Sequence, residues 1–300
     1  MSVRTIRLQT MISAAAVVAC VAAFMAASTE EAKASFPGKN GRIAFTLFPE
    51  VGDAEIYKMR PDGSGPKQVT FNSTDDVRPA WSPDGTRISF TRVEKIFVKD
   101  TRSGQVVRLT DNTGISSFDS AWSPDSARLA FDSNRDGDNE IYTMNSSDGS
   151  KLTKLTDNQN HDVEPAWSPD GTKIVFSRDY DIWVMNADGT NQKNLTDSPE
   201  LDEYEPDWSP DGAKIAFTNG SSSDIWVINA DGSRRVNLTN TPSVGDDHPA
   251  WSPNGNKIAF ESRGDISKMN ADGSRQVNLT NTPESGEYLP DWQATPAPSG

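Results

Sequence analysis

Cysteine is almost absent: the 300 residues contain one, Cys20. Beyond residue 34 there is none, which excludes disulfides, thiol chemistry and Cys-ligated metal from that part of the chain. Histidine stops at two, His161 and His248. They stand at different offsets from the nearest tryptophan and supply too few ligands for a zinc centre. There is no Gly-x-Ser-x-Gly elbow and no Walker-type phosphate loop. No apolar stretch past residue 34 is long enough to span a bilayer. Hydrophobic residues make up 34% of the chain and leucine is scarce. That argues against one large core and for many thin sheets, each needing few large side chains. No segment past residue 34 combines caps with a 3.6-residue period, so little helix is predicted there.

The first 34 residues read as a signal peptide. Arg4 and Arg7 form its positive start, Ile12 to Ala27 its apolar stretch, and Ala32-Lys33-Ala34 a small-x-small cleavage site. Val17-Val18-Ala19-Cys20 loosely resembles a lipoprotein box, but the apolar run continues past it to Ala27, which favours ordinary cleavage. The expectation is an exported protein, periplasmic, in the cell envelope or extracellular. The formal charge is -14. A negative field of this size repels nucleic acid and anionic lipid, and favours cations, basic partners and neutral ligands.

What the sequence has in quantity is repetition. Trp-Ser-Pro recurs at Trp81, Trp122, Trp167, Trp208 and Trp251, and Trp292 follows in register. Apolar triplets accompany them: Ile43-Ala44-Phe45, Ile88-Ser89-Phe90, Leu129-Ala130-Phe131, Ile174-Val175-Phe176, Ile215-Ala216-Phe217 and Ile258-Ala259-Phe260. Each unit holds four strand-like runs, a to d. In one copy these are Pro165 to Ser168, Lys173 to Ser177, Asp181 to Asn186 and Lys193 to Thr196. Pro-Asp-Gly and Ala-Asp-Gly turns separate a from b and c from d, with Asp capping local backbone and Gly taking positive φ. Strand c, such as Ile182-Trp183-Val184-Met185, is apolar without alternation, so both faces of each sheet are buried.

Radial stacking of blades satisfies that demand for every sheet at once. The predicted fold is all-β: a six-bladed β-propeller of four-stranded antiparallel blades, closed by a C-terminal strand. Residues 35–293 form the propeller and 294–300 a short tail. The chain enters with a strand b and ends with a strand a, so the strand of Trp292 is expected beside Ile43 to Phe45. The alternative is an unclosed partial blade, with Phe36 in the tryptophan position. The Pro-Ala-Trp-Ser-Pro-Asp-Gly runs, Ile-Ala-Phe triplets, Ile-Trp-Val-Met strand and Asn-Ala-Asp-Gly turn together resemble the WD40-like PD40 repeat of the TolB family. The resemblance runs from Phe36 to about Trp292. It implies the propeller part of that family and is weak for function, because propellers carry many activities.

Loop composition points to one face. The a–b and c–d turns are near-identical and structural, whereas the b–c and d–a loops vary. The latter carry the candidate binding residues of an acidic channel mouth: Asp76, Arg78, Asp119, His161, Asp162, Glu164, Glu203, Glu205, Asp246, His248 and Glu287. Arg78, Glu164, Glu205, His248 and Leu289 are expected to rim the channel, strand a being innermost. A solvated acidic rim is the competing reading. One b–c loop spaces oxygen ligands as a calcium loop does: Asp132, Asn134, Asp136, Asp138 and Glu140, with Gly137 at the turn. Its twelfth position is Thr143, not an acid, and no helices flank it, which favours an ordinary Asp-Gly hairpin over calcium. Asn-Leu-Thr at Asn194, Asn237 and Asn278 matches a glycosylation sequon, but the shared repeat position makes it strand-end chemistry.

The functional expectation is a non-enzymatic binding scaffold that recognises a basic or polar protein segment, with no cofactor except possible calcium. The alternative is a carbohydrate-binding or carbohydrate-cleaving propeller, since paired carboxylates are plentiful.

Overall fold

A computed structural model describes residues 38–295, apart from 112, 199, 242, 243, 283 and 284. The signal-peptide segment and the tail beyond Thr295 lie outside the described residues. Six four-stranded antiparallel sheets follow one another, each in the order a-b-c-d from the channel outward. Blade 2 holds Asp76–Trp81, Arg87–Arg92, Lys95–Asp100 and Val106–Arg108. Blade 3 holds Ser117–Trp122, Arg128–Ser133, Glu140–Asn145 and Thr153–Lys154. Blade 4 holds Asp162–Trp167, Lys173–Arg178, Asp181–Asn186 and Lys193–Asn194. Blade 5 holds Glu203–Trp208, Lys214–Asn219, Asp224–Asn229 and Val236–Asn237. Blade 6 holds Asp246–Trp251, Lys257–Ser262, Asp265–Asn270 and Val277–Asn278.

Blade 1 joins the two ends of the chain. Its strand a is the C-terminal Gly286–Thr295, paired to Lys39–Phe48, with Glu55–Met59 and Lys67–Gln68 outside. Ile43 stands opposite Trp292, as the repeat count requires, and the partial-blade alternative falls. The pairing extends to Lys39 opposite Thr295, two residues past the predicted boundary. Gly41 permits this: a Cβ there would lie 2.7 Å from the Gln293 carbonyl oxygen.

The core sits in the six seams between blades, and the triplets explain it. At the seam of blades 4 and 5, Trp208, Ile215 and Phe217 face Val175, Ile182, Val184 and Leu195. At the next seam Trp251, Ile258 and Phe260 face Ala216, Ile225 and Val227. In each triplet the outer two residues turn to the preceding blade, together with the tryptophan. The middle residue turns to the following blade and is mostly small, because the next tryptophan lies over it. Every triplet phenylalanine is at most 1% exposed. The turns also serve the seams. Gly189 takes φ +87°, and a Cβ there would lie 2.4 Å from the Leu155 carbonyl oxygen of blade 3.

Strand a of blade 4 begins at Asp162, three residues earlier than the repeat suggests, and the same early start recurs around the ring. Between Val163 and Ala166 the register shifts, so strand a holds one more residue than strand b across from it. This is a β-bulge. Its extra residue breaks the ladder, which is why proline is tolerated at Pro79, Pro165, Pro206, Pro249 and Pro290.

Truncation before Gly286 removes one strand of blade 1 and exposes the seam faces of blades 1 and 6. The melting temperature is expected to fall by more than for Trp292→Ala, whose own cost is about 3–5 kcal/mol. Thermal unfolding followed by circular dichroism checks this, and an unchanged midpoint for the truncation contradicts ring closure.

Candidate functional site

The bulge residue in each strand a is Arg78, Asp119, Glu164, Glu205, His248 or Leu289. All six hold left-handed backbone, with φ of 59°, 49°, 56°, 58°, 54° and 58°. For residues other than glycine this conformation costs on the order of 1–3 kcal/mol each. Six repeats of the same strain turn six side chains inward around one opening. They line a cavity of about 170 Å³ with Pro165, Asp207, Pro249, Asp291 and their neighbours. The mouth opens on the face of the b–c and d–a loops.

The ring is mixed in charge and internally wired. The Arg78 guanidinium pairs with the Asp119 carboxylate. Glu164 Oε2 accepts the backbone N–H of Glu205 at 2.7 Å and the Ser177 hydroxyl at 2.9 Å. Glu205 Oε2 accepts the His248 N–H at 3.0 Å and the Thr218 hydroxyl at 3.0 Å. Each of these carboxylates therefore ties its blade to the next. His248 lies between Glu205 and Glu261, its Nδ1 3.2 Å from Glu261 Oε2. Burial opposes charge on this imidazole, but the two carboxylates outweigh it and push its pKa up to about 10. Glu164 moves the same way for the opposite reason: burial, then Glu205 and Asp119, push it up to about 8.

Below the ring, the residue preceding the tryptophan is alanine in blades 2, 3, 4 and 6 but aspartate in blades 5 and 1. Asp207 Oδ2 accepts the Trp251 N–H at 2.6 Å, and Asp291 Oδ2 the Trp81 N–H at 2.5 Å. Desolvation pushes each carboxyl up to about 7. The lining thus carries five carboxyls, of Asp119, Glu164, Glu205, Asp207 and Asp291, against two cations.

The other candidate mouth residues are elsewhere. Asp76, Asp162, Glu203, Asp246 and Glu287 open their strands a but are at most 1% exposed. They bolt the d–a loops to the blades. Arg92 Nε and Nη2 grip Asp76 at 2.6 and 2.7 Å, and Arg178 grips Asp162 at 2.5 and 2.7 Å. Arg235 pairs with Glu203, while Thr241 and Thr282 hydroxyls donate to Asp246 and Glu287. A buried carboxylate needs such partners, and bidentate arginine is the strongest of them. His161 is exposed on its loop, outside the channel lining. The acids that open strand c are also internal. Asp181, Asp224 and Asp265 each accept the side-chain amide of Asn194, Asn237 or Asn278, which accounts for the sequon-like triplets.

The calcium arrangement does not form. Asp132 lies in strand b of blade 3, behind Asp119, and not in the loop. Asn134 Oδ1 accepts the Ser116 N–H, and Asp136 accepts the Tyr142 hydroxyl. Lys154 pairs with Asp136 and lies 3.8 Å from Glu140, so these two acids face an ammonium. Among the described residues no group of three or more His, Cys, Asp or Glu side chains is arranged to hold a metal ion.

Sequence reasoning missed the residue after each triplet phenylalanine, Thr46, Thr91, Asp132, Ser177, Thr218 and Glu261, four of which contact the ring residues. The signal was present, since this position is polar in all six copies although it adjoins a wholly apolar core.

Comparison with known proteins supports the repeat reading. Residues 92–295 match the TolB beta propeller domain family. An uncharacterized protein of Agrobacterium fabrum is 32% identical over 164 residues, 49% of this chain and 55% of that one. A TolB homolog of Chlorobium luteolum is 37% identical over 131 residues, 42% of this chain and 29% of that one. Among solved structures, TolB from Acinetobacter baumannii superposes with a TM-score of 0.74 at 25% identity, covering 84% of this chain and 66% of that one. The chain therefore spans less than two thirds of the length of each of these three.

The Asp207 carboxyl has a testable consequence. A raised acid pKa means the folded state holds a proton that the unfolded state has released. Stability is thus lost as pH rises from about 4 to about 7. Asp207→Asn keeps an acceptor for Trp251 and removes that loss. The variant is expected to be more stable than the parent at pH 8, by a few kcal/mol at most, since one unit is worth about 1.4. The gap closes near pH 4. Urea unfolding at both pH values checks this, and a pH-independent difference contradicts it.

Proposed function

The chain belongs to the TolB beta propeller family, and from that premise we propose that it is an exported, non-enzymatic scaffold that binds a protein segment at its channel mouth. Export is supported by Arg4, Arg7 and the apolar run from Ile12 to Ala27. The observation that carries the binding reading is the ring of six strained bulge residues. Left-handed backbone repeated where polar side chains converge on one opening supports a functional site there. Asp76, Asp162, Glu203, Asp246 and Glu287 are held in loop anchoring, which leaves the inner ring as the set of acids that converges on one opening.

The ligand chemistry follows from the lining. Carboxyls outnumber cations, and both cations already hold carboxylate partners. An incoming segment finds acceptors in excess, together with the apolar faces of Leu289 and the prolines. Basic or N–H-rich segments fit that surface. A glycan would meet hydroxyl-compatible acceptors but few of the flat aromatic faces that carbohydrate rings stack on.

The experiment is a pull-down from envelope and culture-medium extracts with residues 35–300 as bait. The control bait carries Glu164→Gln, which keeps an acceptor for the Glu205 N–H and the Ser177 hydroxyl, because Asp162 and Glu203 hold the fold. A protein held by the parent and released by the variant, with circular dichroism unchanged, is the expected result. Retention at high salt by both baits contradicts the channel reading, since charge-steered contacts are screened.

A further inference from the structure

Three seams carry a cation of one blade over the tryptophan of the next. Lys58 Nζ lies 5.5 Å from the Trp81 ring centre, the Arg87 guanidinium 4.5 Å from that of Trp122, and the Arg128 guanidinium 5.5 Å from that of Trp167. Arg87 shows how such a cation is seated. Its Nη2 donates to the Ser126 carbonyl at 2.7 Å and its Nη1 to the Ser146 hydroxyl at 3.2 Å. Nη2 also lies 3.6 Å from Asp84 Oδ2. One guanidinium thus joins blades 2 and 3 at the end where the a–b and c–d turns lie.

The seam of blades 4 and 5 keeps the tryptophan and loses the filling. The repeat sets Lys173 where Arg87 stands, Gly212 where Ser126 stands and Ala230 where Ser146 stands. The last match is structural too, since the Ala230 N–H donates to the Ala213 carbonyl as the Ser146 N–H does to Ala127. All three replacements are smaller, and among the described residues no cation lies over the Trp208 ring. The turns also stand further apart. A Cβ on Gly212 would lie 3.8 Å from Pro169, against 3.5 Å for Gly171 on Pro124 and 3.2 Å for Gly255 on Pro210. The result is a cavity of about 340 Å³ between the two blades, which shares no lining residue with the channel.

Two of the three acceptors that seat Arg87 recur in this cavity. Asp170 stands where Asp84 does, and among the described residues no cation lies within ion-pair distance of it. The Gly212 carbonyl stands where the Ser126 carbonyl does and takes no donor from the described chain. Trp208, Pro169, Pro210 and Ala230 supply apolar wall. The exposed rim carries Asp170 and Asp211 against Lys173, so it is net negative.

We propose that this cavity takes the arginine side chain of a partner polypeptide, seated as Arg87 is in its own seam. The methylene stem lies along the prolines and Ala230. The guanidinium lies against Trp208 and donates to Asp170 and the Gly212 carbonyl. A lysine ammonium is a compact point charge and cannot span both acceptors, whereas the guanidinium fork can. Free arginine brings its own carboxylate beside Asp170 and Asp211, which repel it; within a polypeptide that charge is absent. The site lies on the face opposite the channel mouth and does not depend on the reading given above.

The probe is acetyl-Ala-Arg-Ala-amide, titrated into the nitrogen-15-labelled exported chain. The readout is the indole N–H resonance of Trp208, assigned with Trp208→Phe. Controls are the same peptide with citrulline, norleucine or lysine in place of arginine, and free arginine. The arginine peptide is expected to shift this resonance to saturation, citrulline and norleucine not to, and lysine and free arginine to bind about tenfold more weakly. Lys173→Arg fills the cavity from within, as Arg87 does, and is expected to cost the peptide about tenfold in affinity. Lys173→Met removes a repelling charge and is expected to bind severalfold tighter. Opposite effects at one position, with circular dichroism unchanged, separate occupancy of the cavity from damage to the fold. Asp170→Asn is expected to weaken binding severalfold, and the turn tolerates it, since Asn254 caps the same turn in blade 6.

Equal binding of the citrulline or norleucine peptide overturns the guanidinium inference, and equal binding of free arginine overturns the choice of a polypeptide. Unchanged affinity in Lys173→Arg places the peptide elsewhere and overturns the site. So does the absence of any shift at millimolar peptide. None of these outcomes touches the channel-mouth reading, which the pull-down decides.

Discussion

Every blade of this protein is a sheet with two apolar faces, and neither face can be left to water. That constraint organises the rest. Four short strands cannot bury both their faces alone, so each blade needs a neighbour on either side, and only a closed ring gives every blade two. The tryptophan, isoleucine and phenylalanine of one blade fill the space over the small triplet residue of the blade before it. Closure is completed by one strand from the C-terminal end, where Trp292 stands opposite Ile43. The two ends of the chain thereby depend on each other across nearly its whole length.

The channel is a by-product of closure that has acquired chemistry. Strand a is the inner edge of each blade, and the bulge within it turns one side chain per blade into the opening, in left-handed backbone. The carboxyls that line the channel are desolvated by burial. Glu164, Asp207 and Asp291 are all held above the ordinary carboxylate range, by burial first, with neighbouring carboxylates adding to it for Glu164 and Asp207. The fold thus sets the proton affinities of the site.

The period, the blade count and the closing strand were legible in the sequence, because tryptophan and triplet spacing follow directly from seam packing. The channel lining was legible in part. Arg78, Asp119, Glu164, Glu205 and His248 were placed on the face and the lining where the structure has them. Asp76, Asp162, Glu203, Asp246 and Glu287 were not, because a carboxylate before strand a looks alike in sequence whether it meets water or a buried arginine. Their partners Arg92, Arg178 and Arg235 lie 16 to 32 residues away, and no local pattern marks them. Asp132 was misread for a related reason. Its spacing with Asn134, Asp136 and Asp138 suits a metal loop, but strand b extends far enough to carry it behind the channel ring.

The measurement that reaches the central claim is a carbon-13 NMR titration of side-chain carboxyls, with Glu164, Asp207 and Asp291 assigned by substitution. The account holds that ring closure creates a water-poor channel that keeps these groups protonated far above their solution range. It predicts midpoints near 8 for Glu164 and near 7 for the two aspartates. Midpoints near 4 for all three would mean that the channel is open to water, and would contradict it.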